Sequence, residues 1–114
     1  MVENVTRASE EQELSNNILF DILSNERRRF TLYCLEKYQT PLALADLADE
    51  VALLESNAET LLDIPADDVK ETYLDLYHCQ VPKLEEVDFL TYSQERDTVS
   101  LKSDLSDLNL ENFL

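Results

Sequence analysis

The side chains able to coordinate a metal, attack a bond or move a proton are few in kind. His78 is the only histidine, Cys34 and Cys79 are the only cysteines, and 25 Asp and Glu outnumber 9 Lys and Arg. A zinc or transition-metal centre needs three or four convergent ligands. Asp75 stands three positions before His78 and Cys79 is adjacent to it, but consecutive helical residues do not share a face, so the three do not converge. No Ser–His–Asp set rises above the carboxylate background, and one histidine with two distant cysteines excludes the common multi-ligand sites. The chain also contains no glycine. Phosphate-cradling loops, dinucleotide fingerprints and nucleophile elbows need glycine where backbone approaches a ligand or turns with positive φ. These observations argue against an enzyme and assign no catalytic residue, no metal ligand and no cofactor. What remains is hydrogen-bonding and ionic chemistry. Lys70, His78, Gln80 and Lys83 fall on one predicted helix, and Arg96 falls in the loop beyond it. Such groups contact phosphates and base edges.

Those residues lie in a stretch, 69–101, whose pattern changes partway. Val69, Tyr73, Leu76, Tyr77, Val81 and Leu84 recur at helical spacing. Alternation then takes over at 89–92 and 98–101, around a polar loop at 93–97. A helix followed by a two-stranded wing is the working end of a winged helix-turn-helix. Upstream, Ser9 and Gln12 have capping-box spacing for a first helix over 10–23, with Leu14, Ile18, Leu19, Ile22 and Leu23 on its inner side. Ser24 or Asn25 caps a second helix that runs to about Tyr38 and stops at Thr40-Pro41. A third covers 44–55, with Leu44, Leu47, Ala48 and Val51 inward. Residues 56–66 read as a turn or short helix and a linker. Asp68 offers a capped start to the fourth helix, which Pro82 interrupts near its end. The expected fold is mainly α with a small β-hairpin, a winged helix-turn-helix built on the third and fourth helices. The expected division is a flexible leader over residues 1–8, the winged domain over 9–102, and an acidic-apolar C-terminal tail over 103–114.

Three blocks carry a resemblance. Leu23-Ser24-Asn25-Glu26-Arg27-Arg28-Arg29-Phe30, Leu44-Ala45-Asp46-Leu47-Ala48-Asp49-Glu50-Val51-Ala52 and Leu76-Tyr77-His78-Cys79-Gln80-Val81-Pro82-Lys83-Leu84 resemble a haloarchaeal winged-helix family of unassigned function, usually treated as DNA-binding by analogy. They are more distantly similar to metal-sensing and multidrug-type bacterial repressors. The likeness spans about residues 19–101. It implies a winged-helix fold and a small halophilic, archaeal DNA-binding regulator of transcription. Two positions depart from the pattern. Such proteins usually cap the third helix with Ser, Thr or Asp, where this chain has Ala43. They commonly place glycine before the first wing strand, where it has Asp88.

Charge opposes the usual way of holding DNA. Duplex affinity comes largely from Lys and Arg neutralising phosphates. From Asp68 to Lys102 the bases are Lys70, Lys83, Arg96 and Lys102, against eight acids, and residues 40–68 hold eight acids and no base. The net charge is -16 on a chain of ordinary hydrophobic content, 44%. That suits a protein at molar salt, where the Debye length is about 3 Å and self-repulsion nearly vanishes. It also suits an acidic protein with basic partners. Two functions follow as expectations. One is a regulator binding double-stranded DNA through Lys70, His78, Gln80, Lys83 and Arg96. The other is a winged-helix protein–protein interaction module, an adaptor or DNA mimic, that does not bind DNA.

Arg27-Arg28-Arg29 is the only basic cluster. It is a phosphate clamp or a structural set. Three consecutive helical positions fan over most of the circumference, which favours structure. Arg27 is expected to pack its stem at the core edge with its head on a carboxylate, and Arg29 to join an ion-pair set near Tyr33 and Glu36. In the tail, Leu105, Leu108, Phe113 and Leu114 are costly to expose, so they are expected to form an interface, in a homodimer or with a protein partner. No apolar run nears 18 residues and the start lacks a signal-peptide core, so the expected location is cytoplasmic, with no membrane contact.

Overall fold

The computed structural model describes residues 17–102, 104 and 105. The elements are α1 (17–23), α2 (Glu26–Tyr38), β1 (Leu42–Ala43), α3 (Leu44–Ser56), a 3-10 turn (Leu61–Asp63), α4 (Ala66–Asp75), one wide π turn (Leu76–Gln80), α5 (Val81–Glu86), β2 (Leu90–Ser93) and β3 (Thr98–Leu101). The chain is mainly helical with a small antiparallel sheet of order β1-β3-β2. This is the element and strand order of a winged helix. The β2–β3 hairpin is the wing, with Leu90 opposite Leu101 and Tyr92 opposite Val99. The expected capping box at Ser9 and Gln12 and the inward Leu14 lie outside the described residues.

Local chemistry explains most boundaries. The Asn25 side chain accepts from the Arg28 amide at 2.9 Å and starts α2. Ala43 has no side chain with which to cap α3. Instead the Leu44 amide donates 3.0 Å to the Asp97 carbonyl of the wing turn. The two-residue strand β1, which the alternation pattern is too short to reveal, pairs Leu42 with Val99 and Ala43 with Thr98. It feeds straight into α3, so the wing supplies the missing cap. Without glycine, left-handed turns fall to Gln39, Asn57, Asp88 and Asp97, with φ of 56, 53, 65 and 54°. Three of the four are Asn or Asp, whose short polar side chains tolerate that region best. At Asp88 the helix closes in a Schellman pattern, with the Phe89 amide donating to Leu84 and the Asp88 amide to Glu85.

The fourth helix begins at Ala66, three residues before the expected start, with Pro65 at its N-cap and no side-chain cap. Asp67 and Asp68 fall in its first turn, where the helix dipole favours them. Pro82 does not end it. The Val81 amide reaches back to the Leu76 carbonyl, and this wide turn loosens the helix just where the proline ring would press on the preceding turn.

The core draws one or more residues from every layer: Ile22, Phe30, Leu32, Leu35, Leu44, Leu47, Val51, Leu76, Leu84, Leu90 and Val99. Leu105, in the expected C-terminal tail, is also buried in it. Ile18 is 44% exposed, against its expected inward place, and Phe20 beside it is 72% exposed. Among the described residues no helix is long and apolar enough to cross a membrane.

Candidate functional site

The helix formed by α4, the π turn and α5, together with the wing, presents the residues expected to touch nucleic acid. Lys70, His78, Lys83 and Arg96 are all exposed. Lys70 and Arg96 make no ion pair among the described residues. Lys83 lies 3.6 Å from the Asp21 carboxylate, both side chains well exposed, a contact too solvated to immobilise it. The Arg96 amide donates to Ser93 Oγ at 3.3 Å and shapes the wing tip.

Gln80 is a correction. It is 9% exposed, and its amide nitrogen donates to Asp75 at 3.0 Å while its oxygen accepts from Arg28 at 3.4 Å. Its place was visible in the spacing, since Gln80 stands four residues from both Leu76 and Leu84, the two buried leucines of that helix. Asp75, next to Gln80 in this network, is turned partly inward. It is half-buried and accepts from Arg27 Nη1 at 3.0 Å. Burial works to raise its carboxyl, and hydrogen bonds from Gln80 and Arg27 outweigh this, holding it below the ordinary carboxylate value.

The arginine triplet is consumed by the fold. Arg27 Nε contacts both Glu55 oxygens at 2.9 and 3.1 Å, so this one side chain ties α2 to α3 and α4. Burial opposes its charge, and the hydrogen bonds to Glu55 and Asp75 win, raising its pKa. Arg28, 7% exposed, donates to the Ile22 carbonyl at 3.0 Å and the Asp21 carbonyl at 2.8 Å. Arg29 donates to the Leu23 carbonyl at 2.6 Å, and not to the surface ion-pair set expected for it. Arg28 and Arg29 thus close the C-terminal carbonyls of α1, which attract cations through the helix dipole. The triplet is turned onto the fold, and Arg29 Nε is buried without a hydrogen-bond partner among the described residues.

An aromatic seam joins the helix to the wing. Tyr77 meets Tyr92 edge to face at 6.1 Å and His78 at 4.9 Å. The Tyr92 amide donates to Glu85 at 3.1 Å, and its hydroxyl donates to Asp97, which with some burial pushes the phenol up to about 12. These contacts tie the wing to the α4–α5 helix. The outward remainder is acidic: Asp67, Asp68, Glu71, Glu85 and Glu86 are exposed on the same helix. Lys102 is paired with Asp88 at 3.0 Å. A polar cleft of about 320 Å³ lies between α3 and α4, lined by Arg27, Glu55, Ser56, Ile64, Asp68 and Thr72 among others. Among the described residues no group of three or more His, Cys, Asp or Glu is arranged to hold a metal. Of the expected interface residues, Leu105 is spent on the chain's own core; Leu108, Phe113 and Leu114 lie outside the described residues.

Neither the curated proteins nor the solved structures give a match to this chain. Residues 20–100, from α1 to the end of the wing, match the family model described as Domain of unknown function (DUF7344), and the chain belongs to that family.

Proposed function

We propose that this chain is a small DNA-binding regulator of transcription, acting at high salt in the cytoplasm. It sets the α4–α5 helix against the duplex and uses Lys70, His78 and Lys83 there, with Arg96 from the wing. The observation that carries this reading is the pairing of β1-β3-β2 sheet order with exposed cations on both helix and wing, two of them without an ion pair among the described residues. Burial of Asp75 against Arg27 also removes one negative charge from the presenting face. With three phosphate contacts at most per chain, the slope of log K against log salt is shallow, about −3. Recognition then rests on hydrogen bonds, shape and apolar contact.

Binding to duplex fragments, followed by fluorescence anisotropy from roughly 0.2 to 3 M KCl, tests the proposal against the electrostatic expectation. Lys70→Glu and Arg96→Glu each weaken binding, while Lys37→Glu, on α2, leaves it unchanged. Absence of binding at every salt concentration, or indifference to both charge reversals, sinks the reading. A second reading, a protein–protein module that ignores DNA, draws support from the withdrawal of Arg27, Arg28 and Arg29 into the fold.

A further inference from the structure

A groove of about 320 Å³ opens between the end of α2, β1, α3 and the Leu61–Asp63 turn. Its apolar lining is Leu42, Leu53, Leu61 and the ring of Tyr38. Leu61 and Tyr38 are each 40% exposed, and Leu62, next in the chain after Leu61, is 96% exposed. Leu62 gains almost nothing where it stands and Leu61 only part of its full burial, because burial is what makes an apolar side chain stabilising. The rim is carboxylate on one side: Asp46, Asp49 and Glu50. Asp46 and Asp49 make no ion pair among the described residues, and Glu50 accepts only the Tyr38 hydroxyl, at 3.1 Å.

We propose that this groove docks a basic amphipathic segment of another protein, an apolar side chain entering between Leu42, Leu53 and Leu61 while flanking Lys or Arg meet Asp46, Asp49 and Glu50. Charge complementarity selects that occupant. Residues 40–68 carry eight acids and no base, so anionic polymers and anionic lipid surfaces are repelled here. A second copy of a chain with net charge -16 offers mostly acid to meet acid. Burial first, and after it the like charges of Asp46 and Glu50, raise the Asp49 carboxyl above its ordinary value, so part of the shift is repulsion within the rim. An incoming cation relieves it. An apolar anchor framed by fixed charges is the helix-in-groove mode of peptide recognition. No residue of the proposed DNA face takes part, so the two proposals stand or fall separately.

The test uses the full chain and three labelled synthetic helical peptides: one with leucines at i and i+4 flanked by lysines, a twin with glutamates for the lysines, and a twin with serines for the leucines. Anisotropy at roughly 0.5 and 2 M KCl separates apolar from purely ionic binding. The Leu/Lys peptide binds at both, the serine twin binds comparably at neither, and the glutamate twin is excluded at about 0.5 M and regains binding at about 2 M as repulsion is screened. Leu61→Ser weakens it about tenfold, as loss of a central anchor does. Asp46→Asn with Asp49→Asn weakens it further. Leu61 is exposed, so its replacement leaves the fold intact, as circular dichroism verifies. Four results overturn the proposal: no binding of the Leu/Lys peptide, equal binding to Leu61→Ser, equal binding of the serine twin, or equal binding of the glutamate twin at about 0.5 M KCl. So does sedimentation showing a dimer that Leu61→Ser converts to monomer, since the occupant is then a second copy.

Discussion

Replacing Arg28 by methionine keeps the aliphatic stem and removes the guanidinium. The structure sets the cost. Arg28 donates to the Ile22 carbonyl at 3.0 Å and the Asp21 carbonyl at 2.8 Å, with a weaker bond to Gln80 at 3.4 Å. Hydrogen bonds from a charged donor contribute about 1.5 kcal/mol or more each, so the two short ones give about 3 kcal/mol. Against a typical domain stability of about 5–15 kcal/mol, that is a large fraction. For 114 residues the unfolding entropy converts it to a fall in Tm of roughly 12 °C. Urea and thermal unfolding followed by circular dichroism measure it. Two controls sharpen the test. Arg96→Met, at the exposed wing tip, changes stability by less than about 0.5 kcal/mol. The loss in Arg28→Met persists at high salt, because the acceptors are neutral carbonyls in a buried site and are little screened. A loss below about 1 kcal/mol refutes the reasoning: water would then satisfy the α1 carbonyls and the triplet would be free for another use.

Three further outcomes follow from the same geometry. Asp75 has a depressed carboxyl, so its contribution is fully present above the unfolded value, about 3.9, and is lost as pH falls through the folded value. Asp75→Asn therefore lowers stability at neutral pH by on the order of 1 kcal/mol, and its unfolding curve converges on that of wild type in acid; parallel curves at every pH contradict this. Gln39→Gly, at a left-handed φ of 56°, raises stability by about 0.5 kcal/mol by removing a Cβ penalty, and a lower urea midpoint counts against that account. Cys34 is buried and its thiol is pushed up to about 12, chiefly by that burial, whereas Cys79 is exposed. A thiol reagent near neutral pH titrates one cysteine in the native chain and two in denaturant; two fast thiols in the native chain refute the packing of α2.

The helical and wing segments were legible because burial imposes a period. Leu44, Leu47, Ala48 and Val51 mark α3, and the alternation ending at Leu101 marks the wing, within a residue or two of their true limits. The inward turn of Gln80 was legible too, from its four-residue spacing to Leu76 and Leu84, but a polar residue type masks that signal. Strand β1 was not legible, since two residues carry no period. Nor was the cap of α3, because its acceptor, the Asp97 carbonyl, lies 53 positions away along the chain. The π turn has a cause in Pro82, yet the same proline in another context ends a helix.

By itself the sequence determined the class of fold, the absence of glycine-based chemistry and the acid excess, because composition and periodicity are properties of single residues and near neighbours. Tertiary structure decided how each charge is used. Arg27, Arg28 and Arg29 read as one basic cluster, yet each meets a different partner, and those partners come from α1, α3, α4 and the π turn. Gln80 reads as a surface group until Arg28 arrives from another helix. A side chain's charge is written locally, but whether that charge faces water or a partner is a long-range contact, and only the folded chain makes it.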